Sequence, residues 1–182
     1  MKYSIDWLKN QIENGLHPEY LFFWGHSQKM AGVTDKSCFS QWWPAPFIVD
    51  GTTYATAEHW MMAKKALLFD DKKSFDSIIT ANTPATAKKL GRAVKNFNAG
   101  IWTSKAFELV TEGNLHKFSQ HEALKQFLLQ TGDKILVEAS PVDFIWGIGL
   151  SLESDHANDP FKWKGTNLLG FALMEVRDQL KK

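Results

Sequence analysis

Apolar positions recur at helical spacing from the first residues onward. Ile5, Leu8 and Ile12 share one face between residues 4 and 14, and Asn14-Gly15 with Pro18 just beyond ends that amphipathic helix. Tyr20-Leu21-Phe22-Phe23-Trp24 is a short aromatic run suited to a strand, and Pro46-Phe47-Ile48-Val49 reads as a strand entering a tight turn at Asp50-Gly51. The stretch between them, Gly25 to Gln41, is polar and without periodicity, so it is either a functional loop or a surface flap. A helix is predicted from about Thr56 to Phe69-Asp70-Asp71, with a further helical stretch after it. Thr83-Pro84 opens the next one as an N-cap followed by a first-turn proline, and Gly91 is read as its stop. Ser119-Gln120-His121-Glu122 has the order of a capping box and opens a helix through Leu124, Phe127 and Leu128 to Gly132. The last helix carries the stripe Leu168, Leu169, Ala172, Leu173, Val176 and Leu180, with Arg177, Lys181 and Lys182 at the negative end of its dipole. Lys134 to Glu138 and Phe144 to Trp146 are short strand candidates. No repeat or linker interrupts the pattern, which predicts an α+β fold, predominantly helical, with a few short strands.

The chain of 182 residues is long enough for one domain with a substantial core, so residues 1–182 are read as a single domain. Twenty-one basic against twenty acidic side chains give a net charge of +1, which removes any broad electrostatic field for nucleic acid while leaving room for a local basic groove. The lone Cys38 excludes an internal disulfide, and Met1-Lys2-Tyr3-Ser4-Ile5-Asp6 lacks the apolar core of a signal peptide, so a cytoplasmic location is expected. No stretch approaches the roughly 20 apolar residues that a membrane helix requires. Aromatic side chains make up 13% of the chain and cluster in Phe22-Phe23-Trp24, Trp42-Trp43 and Phe144-Ile145-Trp146, where they serve either as core or as stacking surfaces for flat rings.

Glu58 and Lys65 are the candidate reactive pair. They stand seven residues apart within a predicted helix, nearly two turns, so both side chains leave the same face. Met61, Met62, Ala66, Leu68 and Phe69 surround them on that face rather than further charges. A carboxylate and an amine on a partly apolar surface acquire shifted pKa values and can act as acid, base or nucleophile, although the same spacing also suits a structural ion pair.

Other chemistry finds less support. His116 and His121 are five apart, and the chain has no His-x-x-x-His or Cys-x-x-Cys, so neither a metal site nor a cofactor is expected. Gly147-Ile148-Gly149 begins like a dinucleotide fingerprint, but position 152 is Leu where a third glycine belongs, and a tight turn is the simpler reading. Cys38 is either a buried thiol or a nucleophile whose base the sequence does not place.

Taken together, several segments resemble the NADAR family of YbiA-like proteins. They are Phe22-Phe23-Trp24-Gly25, Ser40-Gln41-Trp42-Trp43-Pro44-Ala45-Pro46-Phe47, Asp50-Gly51-Thr52-Thr53-Tyr54-Ala55-Thr56-Ala57-Glu58-His59 with Lys65 following, Leu90-Gly91-Arg92, Lys117-Phe118, Glu138-Ala139-Ser140-Pro141, Trp146-Gly147-Ile148-Gly149 and the run from Asn167 to Arg177. They fall in order over roughly residues 20 to 180 and leave an extra first helix, residues 1–17, outside the match. The resemblance implies a mainly helical N-glycosidase that hydrolyses the bond from a base nitrogen to the anomeric carbon of a phosphorylated ribose. Its substrate would be either an early pyrimidine intermediate of riboflavin synthesis or ADP-ribose attached to guanine in nucleic acid, with no obligate protein partner.

The same resemblance maps the family's essential Glu and Lys onto Glu58 and Lys65. Two mechanisms stay open: a Schiff base between neutral Lys65 and the aldehyde of an opened ribose with Glu58 moving protons, or water activated by Glu58 with Lys65 binding phosphate or hydroxyls. Phe22, Trp24, Trp146, Gly147 and Asn167 are the substrate-binding candidates, the aromatics by stacking and Asn167 by bonding sugar or phosphate near a helix N-terminus. Their other readings are core aromatics and a helix cap. A variant of the family reads Trp-Gly-Asp-Gly where this chain has Ile148. The alternative function is a non-catalytic reader of ADP-ribose or nucleotides, which would have no need of a charged pair on an apolar face.

Overall fold

Most helices of this protein begin at a short polar side chain that takes up one of their first amides. Ser4 accepts from Trp7 N, Thr56 from His59 N, Asp71 from Ser74 N, Thr83 from Thr86 N and Asn98 from Ile101 N. A computed structural model describes residues 1–28, 30 and 32–181; two positions of the expected polar loop, Lys29 and Ala31, and the expected dipole partner Lys182 lie outside the described residues. In chain order the elements are α1 (Ile5–Glu13), β1 (Tyr20–Phe23), a 3-10 turn (Lys36–Phe39), β2 (Phe47–Val49), β3 (Thr52–Tyr54), α2 (Ala57–Leu68), α3 (Lys72–Ile79), α4 (Pro84–Arg92), α5 (Ala99–Ser119), α6 (Glu122–Leu129), β4 (Ile135–Glu138) and α7 (Leu168–Leu180). The expected helix-dominated α+β class is what forms, and the contacts gather into two units, Met1–Ser40 with Ala123–Lys182, and Gln41–Glu122.

The first unit is built on a parallel pair, β1 with β4, in which Phe22 lies beside Val137 and Phe23 beside Glu138. Ile135 N and Ala139 N face β1, donating to Glu19 O and Phe23 O. The opposite edge of β4 is closed by α7: the Asn167 amide donates to Leu136 O at 2.9 Å and accepts from Glu138 N at 2.9 Å, as a neighbouring strand would. Gly170 makes that approach possible, since a Cβ there would lie 2.0 Å from Leu136 O. Arg177 is buried, and rather than simply loading a helix dipole its guanidinium donates to Thr131 Oγ1 and Lys134 O, 2.8 Å each, in the turn between α6 and β4. The first helix is tied to α7 through Tyr3, whose hydroxyl donates to Asp178 at 2.7 Å, and through Lys2, which bonds Glu175 and Asp178.

In the second unit β2 and β3 form a hairpin whose turn residues Asp50 and Gly51 both have positive φ, 49° and 75°, as a two-residue type I′ turn requires. The unit's longest element, α5, was not among the expected helices. Its centre buries Asn114 and Lys117 together with Val110 and Phe118, so polar side chains interrupt the apolar stripe that periodicity detects.

Three local expectations are corrected. Gly91 does not stop α4 but lies inside it against α2, where a Cβ would meet Met62 Sδ at 2.1 Å. Ser119 does not open α6; it is the last residue of α5, and its hydroxyl donates to His116 O at 3.2 Å. Phe144–Trp146 is not a strand, because the Asp143 carboxylate draws Ile145 N and Trp146 N into a bend, at 2.9 and 2.7 Å.

Candidate functional site

The N-cap of α2 does more than start the helix. The Thr56 hydroxyl accepts from His59 N at 3.4 Å and meets His59 Nδ1 at 2.8 Å, while His59 Nε2 reaches Ala81 O at 3.0 Å. A carbonyl can only accept, so Nε2 carries the proton and Nδ1 receives the threonine hydroxyl. Burial lowers the His59 pKa, which keeps this neutral tautomer. The ring thus ties the first turn of α2 to the segment before α4, and Glu58, the residue before it, donates its own amide to Gln41 O at 2.9 Å. Glu58 is 3% exposed, and Gln41 is in turn held through its amide nitrogen on Asn114 Oδ1 at 3.1 Å. A carboxylate on a backbone fixed from three directions has few ways to turn.

Seven residues further along the same face, Lys65 is half-buried. Its Nζ sits 4.1 Å from the Phe97 ring centre and 5.5 Å from that of Trp102. Among the described residues no carboxylate lies within ion-pair distance of it. Burial first, and then the Arg92 guanidinium, push its pKa below the ordinary lysine range. At the helical rise of about 1.5 Å per residue the Glu58 and Lys65 backbones are separated by roughly 10 Å, room for a sugar ring between the two groups.

The other candidates belong to the first unit. Phe22 is half-buried on β1 and Trp24, just past its carboxyl end, is 61% exposed. Trp146 is half-buried, and Gly147 packs so closely on β4 that a Cβ would lie 2.9 Å from Glu138 O. Asn167 is brought to Gly147, whose carbonyl takes its amide at 3.1 Å, but it does not present a free side chain. Fully buried, it has both ends of its amide on β4, and Ile145 O and Trp146 O accept the next amides, Leu168 N and Leu169 N, at 3.1 Å each. The start of α7 is thereby filled with backbone carbonyls, which removes the reason for expecting phosphate there. Ile148 is a core residue of this unit, and Cys38 is fully buried. A cleft of about 310 Å³ lined by Ile12, His17, Tyr20, Asp159 and Phe161 contains none of the candidate residues.

The model of the NADAR domain matches residues 22–181. The chain belongs to the NADAR family. Over 166 residues it is 46% identical to N-glycosidase R617 of Acanthamoeba polyphaga mimivirus, a match covering 88% of this chain and 96% of that one. It is 35% identical over 146 residues to N-glycosidase YbiA of Escherichia coli, covering 80% of this chain and 81% of YbiA. The NMR structure of the E. coli protein YbiA superposes with a TM-score of 0.72 at 31% identity, over 91% of this chain and 87% of that one. The NADAR match includes residues of both units and leaves α1 outside it.

Several neighbours of the pair were not singled out as site residues from sequence. His59 and Thr56 read as ordinary helix-start residues, and Arg92 stood only within a matching segment. Phe97 lies between two asparagines, and Trp102 lies in the first turn of a helix whose periodicity is weak. The detectable signal is the short polar residue three before His59, which marks the cap.

Proposed function

We propose that this protein hydrolyses the bond between a base nitrogen and the anomeric carbon of a phosphorylated ribose, with Lys65 as the attacking amine and Glu58 as its proton-transfer partner. That it is a hydrolase of N-glycosyl bonds rests on relatives named N-glycosidase, from a mimivirus, Nostoc punctiforme and Escherichia coli among others. The observation that carries the residue assignment is the setting of Lys65. Its amine is partly desolvated with a cation for a neighbour, and both favour the neutral, nucleophilic form, while the rings of Phe97 and Trp102 fix its position.

In this reaction the Nζ lone pair forms a bond to the anomeric carbon while the pair of the carbon–nitrogen bond leaves with the base, which takes a proton from Glu58. Returned to its anionic form, Glu58 accepts a proton from Nζ. Opening of the sugar ring then gives a Schiff base, which water cleaves to the free sugar and the amine. Direct attack by water activated by Glu58 is the rival, and it would need no adduct. The two substrate classes are ADP-ribosylated guanine in nucleic acid and the early pyrimidine intermediates of riboflavin synthesis.

Incubation with each substrate class, following release of the free base, tests the assignment. Borohydride added during turnover is expected to leave a sugar-phosphate adduct on the peptide containing Lys65. Base release without an adduct would move the mechanism to activated water; no release from either class would refute the function.

A further inference from the structure

Gly91 and Met62 fix more than the packing of α4 on α2. Because a side chain at Gly91 would overlap Met62, the two helices approach closely there, and the next residue, Arg92, comes near enough for its charge to act on Lys65, three residues after Met62 on α2. Arg92 is exposed, and among the described residues neither it nor Lys65 has a carboxylate within ion-pair distance. A guanidinium without a counter-ion among the described residues, neighbouring Lys65, whose amine lies over the exposed Phe97 ring, makes a receptor for an anion attached to a ring-bearing molecule. We infer that Arg92 binds the phosphate of the ribosyl substrate beside Lys65.

This rests on the proposed function and adds to it a reason for an arginine at this place. A phosphate dianion close to Lys65 would favour the protonated amine and so suppress its attack. The guanidinium, which stays charged at any working pH, offsets that charge and leaves the amine free to lose its proton. Arg92 therefore has two separable effects, on phosphate affinity and on the pH at which Lys65 becomes reactive. A role confined to ending α4 would produce neither.

The test compares binding of ribose 5-phosphate and of ribose by calorimetry in the unmodified protein, Arg92→Gln and Lys89→Gln, the last removing another exposed cation from the same helical turn. The unmodified protein and Lys89→Gln should prefer the phosphorylated sugar. Arg92→Gln should lose about 10- to 100-fold of that preference, the worth of charge-assisted hydrogen bonds, with an unchanged melting temperature. In turnover its KM should rise, and the alkaline rise of kcat should move to higher pH. Equal preference in Arg92→Gln, or equal loss in Lys89→Gln, overturns the inference while the proposed function stands. Loss confined to Arg92→Gln in a protein that releases base from neither substrate class overturns the function and leaves the phosphate site. No preference for ribose 5-phosphate in the unmodified protein overturns the inference and removes the phosphorylated ribose from the functional reading.

Discussion

At the scale of single residues, Lys65 and Asn167 differ in how their polar groups are engaged. Lys65 is half-buried, and its pKa is lowered by desolvation and a neighbouring cation. Lys65→Arg preserves the charge over Phe97 but supplies no titrating amine, so base release should fall to background with the circular dichroism spectrum unchanged. Glu58→Gln keeps the shape and removes the proton carrier, and should cost about 10²- to 10⁴-fold in kcat. Asn167 is the opposite case. Asn167→Ala orphans Leu136 O and Glu138 N and leaves a non-glycine residue at φ 53°, so it should destabilise the protein by about 2–4 kcal/mol in urea titration. A variant of full stability with raised KM would instead return Asn167 to the substrate.

Among the elements, helix starts were the most legible from sequence and packing the least. Thr83 announces α4 because a short polar side chain followed by a first-turn proline has a specific task there, and the start expected near Thr56 is where α2 begins. The buried Asn114 and Lys117 hid α5, because their accommodation depends on neighbours that periodicity does not see. Phe144–Trp146 imitates a strand in composition, and only the Asp143 side chain makes it a bend. The candidate site was legible to the extent that one helix carries it. Spacing places Glu58 and Lys65 on one face but suits a structural pair equally, and the family resemblance is what singles them out, whereas Arg92, Phe97 and Trp102 come from other elements, and only folding places them near the amine. Gly91 shows how such placement is encoded. In an isolated helix Gly→Ala would add about 1 kcal/mol, but here the new methyl enters Met62, and Gly91→Ala should destabilise by about 1–3 kcal/mol. Gly91→Ala combined with Met62→Ala should recover part of that loss relative to Met62→Ala alone, which a double-mutant cycle in urea measures; strict additivity would show that the two residues do not touch.

For the whole molecule, stability against pH sums groups from both units, and their signs can be worked out singly. Asp71 accepts from Lys95 N and from the amide and hydroxyl of Ser74, which lowers its pKa to about 2, so its contribution is present above the ordinary carboxylate range and lost as pH falls towards that value. His59 resists protonation when folded, while an unfolded imidazole binds a proton near about pH 6.5; stability is therefore lost as pH falls through that value. Lys65 works in the same direction higher up. Its folded pKa is depressed, so the unfolded chain binds more protons between the depressed value and the ordinary lysine pKa of about 10.4, and stability rises with pH across that window. Tyr20 opposes them: burial, with Asp159 nearby, raises its phenol to about 12, so above the ordinary tyrosine value the unfolded chain releases the proton first and stability falls. The sum is a dome with a gradual acid side and an alkaline shoulder. Removing single groups should reshape it predictably. In urea titrations at a series of pH values, Tyr20→Phe should extend the plateau to higher pH, whereas Lys65→Met should flatten the rise below it. An alkaline limb unchanged in Tyr20→Phe would mean that another group sets it.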